Sequence, residues 1–406
     1  MNILLSLVSG AQYALGLFLF LNVLYLLFFA VAGHRRDAAP FAGVAGGVAR
    51  RVCVLMPAYH SDAVILQTAP AAQHHAYAGT AEVYVIADGL LPATMQALRQ
   101  QNIGVVEVTF EKSTKGKALL AALTALPAAA YDVAVVLDVD NVMAPDFLNQ
   151  VDMAFAAGYR VVQGHRTAKN FDSPFAVLDA CNEEINNHIY RLGHASLGLS
   201  AALIGSGMAF EYDYLKQLLQ DIGDTLGEDK EMDFRIVKSG LKVGYLPHAY
   251  VYDEKISNSK AFTTQRTRWL ASQMEFLQKY FWQGPVELWR GNVEFFDKVI
   301  QTLLVPRILL LGLLSLLLVL SALAPSVGPG PLFWAALLAG TSAALLLSLP
   351  ARLYNRQVAQ ALWHLPLALV SMVLALLQIK KAKTSFLHTA HTAAEITEVT
   401  TNQFIN

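Results

Sequence analysis

Charge, cysteine and internal repetition are what this 406-residue chain has little of, and each shortage excludes something. Charged residues make up 15% against 55% hydrophobic, a balance skewed from that of a soluble protein. Thirty Lys and Arg face 31 Asp and Glu, a net charge of −1, so whole-chain electrostatics give no argument for nucleic-acid binding. The two cysteines, Cys53 and Cys181, are far apart and fit no metal or redox spacing, so buried free thiols are expected. No repeat and no low-complexity linker interrupts the chain, although residues 39–49 form a small-residue stretch. The charges that exist lie mainly between Arg50 and Lys298, and apolar runs hold both ends.

Residues 3–32 contain no charged side chain, long enough as a helix to cross a bilayer core of about 30 Å. A cleaved signal peptide carries its positive charge before a shorter apolar core; here Arg35 and Arg36 follow it. Residues 1–33 are therefore expected to be a retained anchor and 34–50 a tether, with the amino terminus outside and the next domain cytoplasmic. Three further apolar runs cover residues 299–323, 332–349 and 359–379, with a Pro- and Gly-rich turn at 325–331. Arg352, Arg356, Lys380, Lys381 and Lys383 flank the third run on both sides. If all three crossed, the basic tail would end outside, against the charge rule. The third, interrupted by His364 and Pro366, is expected to lie at the interface or re-enter, so 299–380 reads as transmembrane or re-entrant helices. Residues 273–298, rich in aromatic residues with scattered charge, read as interfacial helices, and 381–406 as a cytoplasmic-type tail.

Between these ends, short β-branched runs alternate with helical stretches, the pattern of an α/β domain with a mostly parallel sheet. Strands are expected at 52–56, 83–87, 105–110, 133–137 and 159–163, and helices at 117–125 and 229–238, the second closed by Ser239 and Gly240. Ligands of such sheets bind at the carboxyl ends of strands. Asp88 ends the second strand and the triplet Asp138-Val139-Asp140 the fourth.

Asp138 and Asp140 stand at i and i+2, so on an extended backbone their carboxylates point the same way. A pair so placed can hold a hard divalent cation that takes its remaining ligands from phosphate; a solvated acidic strand end is the plain alternative. Asp88 can accept a hydrogen bond from a base or ribose, or be an ordinary turn aspartate. Lys115, Gly116 and Lys117 open a helix, where backbone amides and ammonium groups can meet phosphate, or form a solvated basic start. Glu228 and Asp229 sit at another helix start, where one can act as general base or both can complement the helix dipole. Gln265, Arg268 and Trp269 share one helical face, an indole and a guanidinium suited to a sugar ring and a diphosphate, or to a membrane surface. Gly205, Ser206, Gly207 and Met208 read as a backbone loop beside an acceptor or as a turn. His388 and His391 have zinc-like spacing without further ligands nearby, and read as a polar tail segment.

Taken in order, Val54-Leu55-Met56-Pro57-Ala58-Tyr59, Asp88, Asp138-Val139-Asp140, Glu228-Asp229 and Gln265-Arg266-Thr267-Arg268-Trp269 resemble the membrane-integrated family 2 glycosyltransferases, the group of cellulose, chitin and hyaluronan synthases. The last element matches that family's Gln-(Gln/Arg)-x-Arg-Trp pattern in full. The resemblance covers about residues 51–270 and implies a GT-A-type nucleotide-sugar-binding domain, here bounded at 51–272, and an inverting single displacement. It implies Asp88 at the nucleotide, Asp138 and Asp140 at the diphosphate and a Mg or Mn ion, and Asp229 as base. Gln265, Arg268 and Trp269 would frame the acceptor sugar and donor phosphates; Lys117 and Glu228, from their places at helix starts, are further expected substrate contacts. His60 and Ser61 replace the usual Asn-Glu, and Leu90, Leu91 and Pro92 the usual Ser-x-Asp, departures that bear on nucleotide contacts rather than on the chemistry.

The expected partners are a nucleotide sugar (a UDP-sugar favoured), a glycan or lipid acceptor, membrane lipids, and a second copy or export subunit; no nucleic acid is expected. The first expectation is polysaccharide extension on the cytoplasmic side. The second is transfer of one sugar to a lipid such as a ceramide or polyprenyl phosphate, and the third a catalytically silent scaffold. The intact Asp138, Asp140, Asp229 and Trp269 stand against the third. Nothing in the chain separates glucose, N-acetylglucosamine and mannose donors.

Overall fold

A computed structural model describes residues 3–35, 49–127 and 129–382. Arg36, Lys383, His388, His391 and most of the expected tether and tail lie outside these residues. The charge-free run forms one helix, α1 (Ile3–Ala32). Beyond it come β1 (Arg51–Tyr59), α2 (Asp62–Gln73), β2 (Thr80–Asp88), α3 (Pro92–Gln100), β3 (Gly104–Val108), α4 (Lys115–Ala125) and β4 (Val133–Val136). These four strands pair in parallel in the order β3-β2-β1-β4. Both faces of the sheet are covered, which is why β1 and β4 read as continuous apolar runs: Val54, Leu55, Met56, Val135 and Val136 are fully buried. Each such side chain contributes about 1.5–3 kcal/mol by leaving water.

The rest of the domain comprises β5 (Val142–Met143), α5 (Phe147–Ala156), β6 (Val161–Ala168), α6 (Pro174–Asn186), β7 (Met208–Glu211), α7 (Tyr212–Leu219), α8 (Glu228–Lys238) and β8 (Gly244–Asp253). The sheet continues β4-β7-β6-β8-β5, with β5 and β7 running against the others. This is the mixed, mostly parallel sheet of a GT-A fold. Four expected strands fall on β1 to β4, and the fifth, 159–163, begins two residues before β6. The others escaped notice for physical reasons. β5 and β7 are too short for a periodic signal, and β8 contains Pro247 and sits across a register shift in its pairing with β6. Helix α8 ends as expected, with Ser239 at the cap and Gly240 at φ 79°. Both cysteines are free and buried.

Helix α9 (Ser259–Tyr280) leads from the sheet into a helical cluster: α10 (Gln283–Trp289), α11 (Val293–Leu303), α12 (Arg307–Leu323), α13 (Pro331–Leu347), α14 (Arg356–Ala361) and α15 (Leu365–Leu377). The expected boundary at residue 272 therefore falls inside α9. By length and composition, two helical runs among the described residues can cross a membrane, Ser6–Ala32 and Arg356–Leu377. A third is the pair α11 and α12, bent by 58° at its break.

These helices are not merely tethered to the sheet domain. Leu19, Val23, Leu26 and Phe29 of α1 pack with Ile185 and Ile189 and with Leu310, Leu314, Trp334 and Leu337 of α12 and α13. Residues Asn187–Gly193 continue α6 as a π-helix, and a Cβ on Gly193 would come 2.5 Å from the Phe29 carbonyl oxygen. Only glycine permits so close an approach. A second apolar cluster joins Phe175 and Leu178 of α6, Phe262 and Leu270 of α9, and Ala368 and Met372 of α15.

Candidate active site

A cleft of about 1210 Å³ opens at the carboxyl ends of the central strands and runs on to α9, α11, α12 and α15. Asp138, Asp140, Glu228, Asp229, Gln265, Arg268 and Trp269 all line it, although they are as much as 131 positions apart in the chain. Asp88 and Lys117 are not among the lining residues. Asp88 is buried at the end of β2, in register with Tyr59, which does line the cleft. Lys117 pairs at 2.5 Å with Asp224, which does line the cleft.

The acidic triplet reaches the cleft by a different geometry from the one its spacing implies. β4 stops at Val136, and Val139 and Asp140 lie in a turn closed by the Asn141 amide donating to the Asp138 carbonyl at 3.0 Å. The turn, not strand alternation, sets the two carboxylates. The Ser206 hydroxyl accepts from the Asp138 amide at 2.9 Å and donates to Asn141 Oδ1. Asp140 is 1% exposed and accepts from the Glu254 amide at 3.1 Å, which docks the turn onto the end of β8.

Lys115, the first residue of α4, occupies the place expected of Lys117. Thr114 caps the helix by accepting from the Lys117 amide at 3.3 Å, which throws Lys115 back toward the strand ends. Its ammonium pairs with Asp138, donates to the Gly205 carbonyl at 2.6 Å, and lies 3.9 Å from Glu228. Burial alone would lower that ammonium's pKa, but the Asp138 and Glu228 carboxylates carry it above the ordinary lysine value.

Glu228 and Asp229 open α8, where the dipole favours acids. Glu231, the third acid of that turn, is buried and taken up by Arg235 at 2.9 Å, Lys279 at 2.7 Å and Tyr280 at 3.0 Å. That leaves Glu228 and Asp229 for the cleft. Burial pushes the Glu228 carboxyl above the ordinary carboxylate range; Lys115 opposes this and Asp229 adds to it. Gly205, at φ 86°, lets the backbone pass beneath all three groups. A Cβ there would sit 3.7 Å from both Asp229 Oδ2 and Lys115 Nζ and 3.9 Å from Glu228 Oε1.

On α9, Gln265, Arg268 and Trp269 share the face that lines the cleft, as their spacing predicts. Gln265 Oε1 is buried with no hydrogen-bond partner. Arg266, a member of the same motif, is 6% exposed, pairs with Asp179 of α6, and stacks 4.0 Å from the Trp269 ring centroid. It serves as the platform on which the indole rests.

Sequence reasoning missed the buried ionic floor of the cleft. Glu183 of α6 accepts from Arg166 at 2.9 Å and lies 3.6 Å from Lys255 and 4.0 Å from Arg191. Burial would raise its pKa, but the cations hold it down at about 2. Asp253 pairs with Lys255 at 2.6 Å and accepts from Asn141 at 2.8 Å. No local motif marks these residues, because they come from β6, α6, the π-helix and the end of β8. Unbroken polarity on α6 (Asp179, Asn182, Glu183, Asn186) was the one available signal.

Among the described residues, no group of three or more His, Cys, Asp or Glu forms a metal-ligand cluster. A pair such as Asp138 and Asp140 can offer two carboxylates to a hard cation that keeps waters and takes phosphate oxygens.

A mixed sheet with acids converging at its strand ends defines a GT-A-type nucleotide-sugar fold. The model for "Glycosyltransferase like family 2" matches residues 49–272, more than half of the chain, and the chain belongs to that family. Comparison with curated protein sequences gives no significant match. Among solved structures, the chain is similar to the mannosyltransferase of Pyrobaculum calidifontis in complex with GDP-Man and Mn2+, with 18% identity and a TM-score of 0.54. That likeness covers 93% of this chain and 99% of the other, so it extends past the sheet into the helical cluster. Glucosyl-3-phosphoglycerate synthase of Mycobacterium tuberculosis, in complex with Mn2+, UDP and glucosyl-3-phosphoglycerate, is 18% identical with a TM-score of 0.33. It covers 55% of this chain and 78% of that one.

Proposed function

We propose that this chain is an inverting glycosyltransferase that moves a hexose or N-acetylhexosamine from a nucleotide sugar to a growing polysaccharide at the membrane. The observation that carries the reading is one continuous cleft lined by the Asp138 and Asp140 turn, Lys115, the Glu228 and Asp229 pair, and the Gln265, Arg268 and Trp269 face. Asp229 takes the proton of the acceptor hydroxyl as that oxygen attacks the anomeric carbon, and the sugar–phosphate bond breaks on the opposite side. Asp138 and Asp140 would hold a Mg or Mn ion, which neutralises the charge growing on the diphosphate leaving group. Lys115 supplies a second positive charge there, and Glu228 keeps Lys115 in place. Trp269, braced by Arg266, stacks against the acceptor sugar, Gln265 hydrogen-bonds it through its unpaired carbonyl, and Arg268 meets the donor phosphates. Asp88, buried at the end of β2, acts at the nucleotide end of the cleft beside Tyr59, which lines it. The Pyrobaculum mannosyltransferase, solved with GDP-Man and Mn2+, is in keeping with a nucleotide-sugar donor and a metal.

The catalytic domain lies on the cytoplasmic side, by the charge that follows α1. A second reading, transfer of a single sugar to a lipid acceptor, is favoured by the far end of the cleft. Leu304, Val305, Pro306, Ile308 and Met372 line it there, beside the apolar helices.

The test is product sizing with purified protein in lipid nanodiscs, Mn or Mg, and a panel of radiolabelled nucleotide sugars. High-mass glycan made by the native protein supports the first reading, and a single lipid-soluble product the second. Asp229→Asn is expected to lower transfer by about 10²–10⁴-fold with donor binding nearly unchanged. Loss of donor binding in that variant would show a structural role for Asp229 instead.

A further inference from the structure

The deep end of the cleft holds a cation that the transfer chemistry above does not use. Arg307 is the first residue of α12 and follows the break Leu304-Val305-Pro306 that bends this helix from α11. Its Nη2 donates to Asn182 Oδ1 at 2.5 Å, Asn186 Oδ1 at 2.6 Å and the Asn182 carbonyl at 3.4 Å, all uncharged acceptors. Its Nη1 is buried and has no partner. Among the described residues Arg307 forms no ion pair, which is unusual for a partly buried guanidinium. The acid whose charge reaches it is Glu183, already shared by Arg166, Lys255 and Arg191. Arg266 and Arg191 act on it with like charge. The positive end of the α12 dipole lies at the same place. Tyr190, Asn182 and Asn186 line the cleft around it, and Leu304, Val305, Ile308 and Met372 supply an apolar rim.

We propose that this corner is a phosphate-binding site for the acceptor, with Arg307 as the anion-binding residue and Asn182 and Asn186 fixing its guanidinium fork. Two part-buried amide oxygens hold one edge of the guanidinium, and the other edge keeps a free N–H for a phosphate oxygen. A guanidinium with no carboxylate in contact is what a phosphate completes. The proposal rests on the glycosyltransferase reading in one respect, that the occupant is the acceptor. The phosphate can belong to a lipid headgroup, whose chain would follow the apolar rim, or to a soluble phosphorylated glycan.

The experiment is a calorimetric titration of the full-length protein in phosphatidylcholine nanodiscs with inorganic phosphate. Saturating nucleoside diphosphate and Mn2+ would block the donor end. Phosphate is expected to bind the native protein and to bind Arg307→Gln about tenfold or more weakly, with Arg307→Lys recovering part of the loss. Asn186→Asp, which sets a carboxylate on the guanidinium while conserving shape, should abolish phosphate binding. Displacement by a polyprenyl phosphate placed in the disc identifies a lipid headgroup as the source. Its failure to displace bound phosphate assigns the site to a soluble phosphorylated acceptor. Equal binding by native protein and Arg307→Gln, or none by the native protein, overturns the site. Failure of the native protein to bind nucleoside diphosphate would instead count against the glycosyltransferase reading, and the phosphate comparison between variants stands apart from it.

Discussion

Replacing Glu183 by Gln should destabilise the protein far more than its distance from the reacting atoms implies. The carboxylate is 4% exposed and is the shared counterion of Arg166, Lys255 and Arg191. Burial works against its charge, yet the three cations hold its pKa at about 2, against 4.5 for an ordinary glutamate. That gap corresponds to about 3 kcal/mol of stability at neutral pH. Gln keeps the volume but leaves three buried cations short of an anion, a loss in the range of about 3–5 kcal/mol for breaking a buried pair. If the catalytic domain unfolds as one unit, the thermal midpoint should drop by about 6–20 °C. The sign of the pH dependence follows from the depressed pKa. The stabilisation is complete above the unfolded value of 4.5 and is lost as pH falls through the folded value of about 2, half of it near about pH 3.3. Glu184 and Asp253 also titrate low, so the readout is the difference in midpoint between native protein and variant, measured in detergent from neutral pH downward. A gap that narrows with acid supports the shared-counterion account. No gap at neutral pH, or a gap that does not change with acid, would refute it and show that water or other groups already satisfy the cations.

Lys115→Ala should weaken nucleoside diphosphate binding by about tenfold or more, whereas Lys117→Ala, two residues on and paired with Asp224, should change it little; equal effects would undo the assignment of the site lysine. Trp269→Ala should depress acceptor transfer more than donor hydrolysis, and an equal fall in both rates would remove the indole as an acceptor platform. Chelation with EDTA should abolish transfer and added Mn2+ restore it; full activity after chelation would show that Lys115 and Arg268 alone neutralise the diphosphate.

What the sequence determined by itself was whatever depends on neighbours along the chain. A charge-free run of residues 3–32 forms a single helix because nothing in it needs water, and the apolar runs of β1 and β4 are central strands because both faces are covered. Gln265, Arg268 and Trp269 share a face because 3.6 residues make a turn. The order of the acidic elements was equally legible, and the family follows from it. Asp138 and Asp140 line the cleft by a different route from the one their spacing implied: the spacing pointed to a strand, and a turn pinned by Ser206 and Asn141 is what presents them.

Tertiary structure decided the remainder. Which lysine of α4 lines the cleft depends on the Thr114 cap and on Asp224, itself in the cleft wall, taking up Lys117. Arg266 became a brace for Trp269 only because α6 brings Asp179 under α9. Glu183, Arg191, Lys255 and Arg307 meet at one end of the cleft from elements up to 124 residues apart, and each is an ordinary charge until burial removes its water. Electrostatic partnership acts through space at a few ångströms in a medium of low dielectric, and sequence separation carries no record of it.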